Sequence, residues 1–325
     1  MVLGLAACGG GGGGDGEVSG EPIVIVYYPN ESAGIFQESR DEVERLVREV
    51  TGRPVTSMLT TDTVIAVEAI ASGTAHIAYM GPTGYIEARN RNSAVDILMV
   101  NSGPSGTLED ALYFSWFAVN YDDADLYRDA NGNFTIENIE GKRVSFVSAS
   151  SASGFVVPAA AIADVFGEEI DHDVLLEGDF FSEVLFGLSH QGAMFNLIDG
   201  RADFATFTDM VVFPWYIELV SGAHNQVGAV YRVLDDADAP FHNHAGYKFV
   251  LIESIAVLNP PWAINRDFFT SEEVEALQAA FTSEESANNP LFFAPTDSDY
   301  TGWFAKTDNE RFLVVDDSWF DPMRR

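Results

Sequence analysis

One cysteine, Cys8, stands in the 325 residues, so neither a disulfide framework nor a multi-cysteine zinc site is available. Lysine is almost as scarce: Lys142, Lys248 and Lys306 are all there is. Lys+Arg total 17 against 50 Asp+Glu, a formal net charge of −33. A surface so poor in positive charge repels phosphate backbones, which excludes nucleic-acid binding as the working function. No apolar run approaches the roughly 18 residues that a bilayer-spanning helix needs. Apolar residues nonetheless make up 47% of the chain, enough for the real cores of one large or two medium α/β domains. The acidic, lysine-poor composition suits concentrated salt and a halophilic, acidic proteome. At about 1 M salt the Debye length falls to roughly 3 Å and self-repulsion is screened. An ordinary acidic extracellular protein is the plainer reading.

Leu5-Ala6-Ala7-Cys8, followed by Gly9 to Gly14, resembles the lipobox of a bacterial-type lipoprotein signal, in which the cysteine thiol carries lipid. Only seven residues precede Cys8, fewer than the basic and apolar regions of a signal require. Polyglycine with Asp15 and Glu17 has no side chains to pack and reads as a tether. Residues 1–20 are therefore expected to be a signal remnant and tether, with Cys8 anchoring an extracytoplasmic protein to the membrane.

From Glu21 the pattern alternates. Ile23 to Tyr27 is a continuous apolar run of strand length, and Val43, Leu46, Val47 and Val50 recur at helical spacing over 38–51 before the stop at Gly52. Short strands at 54–59 and 76–80 alternate with helices opening after Asp62 and at Gly81-Pro82-Thr83. The second half repeats the theme, with strands at 113–119, 143–147, 204–207 and 249–255. Helices are expected at 154–166, 190–199 and 271–281, and loops at 122–133 and 235–243. This rhythm predicts an α/β fold with mixed, mostly parallel sheets and helices on both faces. Two lobes follow, residues 21–112 plus 255–325 and residues 113–254, with crossovers near 112 and 254.

Ser148-Ala149-Ser150-Ser151-Ala152-Ser153-Gly154 joins a strand to a helix through small residues. Such a junction presents free amides, hydroxyls and the positive end of a helix dipole, the ingredients of an oxyanion site, although a plain serine N-cap uses the same residues. Gly81-Pro82-Thr83 and Thr61 to Thr63 are comparable junctions, and open α/β sheets bind ligands at strand C-terminal ends.

Three spaced motifs carry a resemblance. Gly141-Lys142 with Ser151-Ala152-Ser153-Gly154 and Pro158 is one. Ser189-His190 with Asp199-Gly200 and Asp203, thirteen positions beyond His190, is another, and Gly81-Pro82 with Tyr85 is the third. Over most of residues 23–265 the chain is similar to the phosphonate/phosphite/phosphate class of ABC-transporter solute-binding proteins, of periplasmic-binding type II fold. The resemblance implies that the hydroxyls of Ser151 and Ser153 and the amides of Ala152, Ser153 and Gly154 grip a small phosphorus oxyanion between the lobes. His190 and Tyr113 would contribute, and the ligand would pass to a membrane permease. Thr63 stands where the family has a helix-capping tyrosine, Ala152 replaces its central threonine, and Pro260 stands near where an aspartate is frequent. Thr83 is a candidate donor, and Asp209 a carboxylate that would compensate.

No cofactor and no catalytic residue are implied, a monomer is usual, and the membrane enters only through the lipid anchor. His190 is expected to be protonated against the anion, so affinity should weaken as pH rises. A sulfonate or carboxylate ligand, a hydrolase pairing His190 with a serine, and a surface sensor with a vestigial cleft are the alternatives. His242-Asn243-His244 and Asp171-His172-Asp173 lack a third ligand at a telling distance, so no metal site is read. No G-x-S-x-G elbow appears.

Overall fold

The computed structural model describes residues 20–28, 36–60, 62–177 and 180–324. Cys8, the glycine run and Thr61 lie outside the described residues. The first lobe opens with β1 (Ile23–Tyr27), α1 (Gln37–Thr51), β2 (Val55–Leu59), α2 (Thr63–Ser72), β3 (Ile77–Tyr79), α3 (Pro82–Arg91) and β4 (Val95–Asn101). The chain then crosses to β5 (Leu112–Asn120), β6 (Arg143–Phe146), α4 (Val157–Phe166) and α5 (His172–Glu177). It continues through β7 (Glu183–Phe186), α6 (His190–Ile198), β8 (Phe204–Thr208), β9 (Ile217–Ser221), β10 (Val230–Val233) and β11 (Lys248–Leu258). It returns as β12 (Pro261–Asn265), α7 (Ser271–Phe281), α8 (Glu284–Ala287), β13 (Phe293–Pro295), β14 (Phe304–Lys306) and β15 (Phe312–Leu313).

Two large sheets result, in strand order β15-β4-β12-β3-β1-β2 and β7-β6-β8-β5-β11-β10-β9. Parallel pairing is confined to their βαβ portions, β2-β1-β3 and β7-β6-β8. The remaining pairs of these two sheets are antiparallel, so "mostly parallel" holds only for those portions. The reason is connectivity: β5 and β11 run out and back between the lobes as a nine-register antiparallel pair, and β12 re-enters the first sheet between β3 and β4.

Each sheet is covered on both faces. Tyr27, Tyr79, Trp262, Phe281 and Trp303 fill one side of the first, and Val26, Val67, Ile70 and Tyr85 the other. Trp116, Met194, Phe207 and Phe249 fill one side of the second, and Phe117, Phe146, Phe155 and Ile162 the other. That two-sided burial is why β1 reads as an unbroken apolar run rather than an alternating one, and why every residue of β8, Thr206 and Thr208 included, is buried. Helix ends follow local chemistry. Gly52 closes α1 at φ +64°, its amide donating to Arg48 O at 2.8 Å, and Thr270 opens α7 in a capping box with Glu273.

Candidate ligand-binding site

A cavity of about 40 Å³ lies where the lobes meet. A water centre needs roughly 10–15 Å³, so the space suits a few waters or one small tetrahedral anion. The parallel strands set its position, because β1, β3 and β8 end at it and the turn that follows β6 opens onto it. Four helix beginnings converge there. Thr63 is the first residue of α2, Gly81 caps α3, Ser151 to Ser153 open the turn before α4, and His190 begins α6. Each helix beginning directs its positive dipole end toward that point, which favours an anion there. Tyr28, Tyr79, Pro260 and Trp303 complete the wall from the first-lobe side, and Tyr113, Thr208, Met210 and Val211 from the second.

The serine turn is held by its own hydrogen bonds and by the sheet beneath it. Ser151 Oγ accepts the Gly154 amide at 3.2 Å, while Phe155 N and Val156 N both donate to Ser151 O at 3.0 Å, giving one π-helical turn over Ala152–Val156. Ser115 Oγ donates to Ser153 O at 2.6 Å and Thr206 Oγ1 to Gly154 O at 2.8 Å, which fixes the turn on the sheet. The Ser153 hydroxyl hydrogen-bonds the Tyr113 phenol, and burial pushes that phenol's pKa up, so it stays an O–H donor.

His190 is buried, and its Nδ1 accepts the Thr208 amide at 3.1 Å. Burial pushes its pKa down to about 3. A ring with Nδ1 accepting carries its proton on Nε2, so His190 is a neutral donor. The expectation of a protonated histidine is corrected by these two facts. With no histidine charge to lose, the contribution of His190 to anion binding should stay level from about pH 6 to 8.5.

The lobes touch around the cavity. Thr63 Oγ1 and Ser150 Oγ are hydrogen-bonded, Thr83 Oγ1 donates to Ser150 O at 3.4 Å, and a Cβ on Gly81 would sit 3.9 Å from the Ala152 methyl.

The pattern of the family described as ABC transporter, phosphonate, periplasmic substrate-binding protein matches residues 25–320. The chain belongs to that family. A curated relative, the phosphate-import protein PhnD of Mycolicibacterium smegmatis, is 26% identical over 145 residues, 44% of this chain and 42% of its own length. The aligned part thus spans about two fifths of that relative. Two solved structures share the fold. PhnD1 of Prochlorococcus marinus, in complex with methylphosphonate, superposes with a TM-score of 0.65 at 12% identity, covering 93% of this chain and 95% of that one. A binding component of a Pseudomonas aeruginosa ABC phosphonate transporter gives 0.62 at 16% identity, with 93% and 84% covered. The family is extracytoplasmic, and no described helix is long and apolar enough to cross a membrane.

Within this phosphonate-family protein the cavity brings together Thr63, Tyr113, Ser151, Ala152, Ser153 and His190. Three expected residues stand elsewhere. Gly154 lies just behind the wall, and its amide is engaged by Ser151 Oγ rather than open to a ligand. Thr83 makes the lobe-to-lobe bond to Ser150 and lines the neighbouring groove. Asp209 does not face the cavity: it accepts the Phe114 amide at 2.9 Å, Asn225 Nδ2 at 3.0 Å and Thr208 Oγ1 at 3.1 Å. Burial pushes its carboxyl pKa up, against these donors, which hold it down. Its work is to tie β5 to the end of β8. Sequence reading missed Tyr28, Tyr79, Thr208, Met210, Val211 and Trp303. Tyr28 and Thr208 had a legible signal, since each sits where an apolar strand run ends.

The buried neutral histidine also predicts an acid-stability effect. The unfolded ring titrates near 6.5 and the native ring near 3, so between these values the unfolded state binds a proton that the native state does not. Stability from this group is complete above about pH 6.5 and is lost as pH falls toward 3. Urea midpoints of wild type and His190→Asn, compared at pH 7.5 and 4.5, should show the larger acid loss in wild type. An equal loss in both would place the titration elsewhere.

Proposed function

We propose that the protein is the solute-binding component of an ABC importer, capturing a phosphonate, phosphite or phosphate-like oxyanion between its lobes and delivering it to a permease. One observation carries this: four helix N-termini from two lobes, with the hydroxyls of Ser151, Ser153 and Tyr113 and the neutral His190 N–H, enclose a single small cavity. Charge-assisted hydrogen bonds to an anion are strongest where water is excluded. The links 102–111 and 259–260 join the two sheets and would act as the hinge on which the lobes open and close; the expected lobe bounds at 112 and 254 would then shift, since β5 starts at Leu112 and β11 runs to Leu258 in the second sheet. A lipid on Cys8 would hold a monomer at the membrane surface. A hydrolytic role is disfavoured by the histidine's orientation, because a general base must offer a nucleophile a bare nitrogen, and His190 Nδ1 is already engaged by Thr208.

Calorimetric titration with methylphosphonate, phosphite, phosphate and sulfate, at low and high salt, tests the proposal. At least one phosphorus oxyanion should bind with 1:1 stoichiometry. The charge of −33 opposes an anion at long range, so raising the salt to about 1 M should leave affinity unchanged or improve it. Binding that collapses in salt would mean that surface cations, not this cavity, hold the ligand.

A further inference from the structure

Met210 is tied to one lobe by its backbone and to the other by its side chain. The loop after β8 is fixed on the second lobe: Met210 N donates to Thr208 Oγ1 at 3.3 Å, Val212 N to Asp209 O at 3.1 Å, and Gln191 Nε2 to Val211 O at 3.2 Å. Yet the Met210 side chain packs against the aromatic core of the first lobe, the cluster containing Tyr27, Tyr79, Trp262 and Trp303. It also lines the cavity, as do Val211, Pro260 and Trp303. Trp215, a few residues on, packs against the cores of both lobes and does not line the cavity.

The cavity wall therefore has two chemistries. Hydroxyls, amides and the His190 N–H come from the helix beginnings, while an apolar portion comes from Met210, Val211, Pro260 and Trp303. An oxygen turned toward thioether, aliphatic and indole carbon would lose its hydrogen bonds to water without replacement, whereas a methyl group there gains contact. At about 40 Å³ the cavity is small, so a small apolar substituent suits it better than a long one.

We propose that Met210 is a specificity-determining residue. It reads the fourth substituent of the bound oxyanion as a methyl-sized apolar group, and it does so only when the lobes are shut, because its contact surface is shared with the first-lobe core. This rests on the capture reading above and deepens it: the preferred ligand class is a phosphonate anion carrying a short, uncharged alkyl group, rather than phosphate or an aminoalkylphosphonate.

The test is the ratio of affinities for methylphosphonate and inorganic phosphate, measured by calorimetry at one pH and salt. One methyl group in an apolar pocket is worth roughly tenfold or more, so wild type should favour methylphosphonate at least tenfold. Met210→Ala and the near-isosteric Met210→Gln should each bring the ratio down by about tenfold, toward parity. Met210→Leu should keep it. Trp215→Ala should weaken both ligands together and leave the ratio alone, because it loosens closure without touching the ligand. A wild-type ratio at or below one, or a ratio unmoved in both Met210→Ala and Met210→Gln, overturns the inference while phosphate binding keeps the capture reading intact. A wild type that binds neither ligand overturns both.

Discussion

Replacing Gly84 by alanine is expected to cost the protein its ligand affinity, by roughly 10- to 100-fold, even though alanine is the better helix former. Gly84 lies in the first turn of α3, where an alanine would ordinarily gain about 1 kcal/mol. Here the added Cβ would overlap the Tyr28 hydroxyl outright and stand 2.9 Å from Tyr28 Cζ and 3.4 Å from Val67 Cγ2. Tyr28 is almost fully buried and its ring lines the cavity, so the clash is relieved only by moving a wall of the binding site. Overpacking of this kind costs about 1–3 kcal/mol of stability, which more than offsets the helix gain. The Tyr28 hydroxyl has no hydrogen-bond partner among the described residues, so Tyr28→Phe alone should cost little. Combined with Gly84→Ala, it removes the overlapping atom and should recover most of the lost affinity. Wild-type binding by Gly84→Ala, or no recovery in the double variant, would show that the Tyr28–Gly84 contact does not shape the cavity.

Much of this arrangement was legible because the signals are local. The run from Ile23 to Tyr27, the spacing of Val43 and Val47, Asp62 capping α2 through the Val64 amide, and the Thr270 capping box each act within one turn or one strand. The serine turn was legible for the same reason, since a small-residue strand-to-helix junction is a short-range pattern. What escaped depends on partners far away in sequence. β12 begins with a proline and has only five residues, so nothing local marks it; it exists because β3 and β4 hold it on either side. Trp303 reaches the cavity from beyond α8, and Met210 acts across the lobe boundary. Asp209 shows the opposite failure. Its place after β8 suggested a ligand-facing carboxylate, but three internal donors from β5, Thr208 and Asn225 claim it. The charge assigned to His190 failed on burial, a property that sequence spacing does not carry.

The remaining large effects are expected at Ser153 and His190, and at His190 a pair of variants distinguishes binding from folding. In Ser153→Ala the backbone carbonyl that receives Ser115 Oγ is untouched, so the turn should persist, but the hydroxyl and its hydrogen bond to the buried Tyr113 phenol are lost. A hydrogen bond to a charged partner is worth about 1.5–3 kcal/mol, which predicts a loss of about 10- to 150-fold in affinity, with a lower melting temperature from the phenol left without its partner. His190 has two jobs that separate chemically. Asparagine at 190 supplies an acceptor near the Nδ1 position, so the Thr208 amide keeps a partner, but it lacks the Nε2 donor. Alanine removes both and leaves the buried Thr208 amide unsatisfied, at a further cost of about 1–3 kcal/mol in stability. His190→Asn should therefore bind weakly, by a factor similar to that of Ser153→Ala, while unfolding near the wild-type urea midpoint at neutral pH. His190→Ala should bind weakly and unfold early. If His190→Asn bound like wild type, the Nε2 hydrogen would not be touching the ligand, and His190 would be only the peg that holds the end of β8. The double variant Ser153→Ala/His190→Asn supplies the last constraint. Donors that grip the same oxyanion are coupled through it, so their combined loss should fall short of the sum of the two, whereas strict additivity would place them on separate groups.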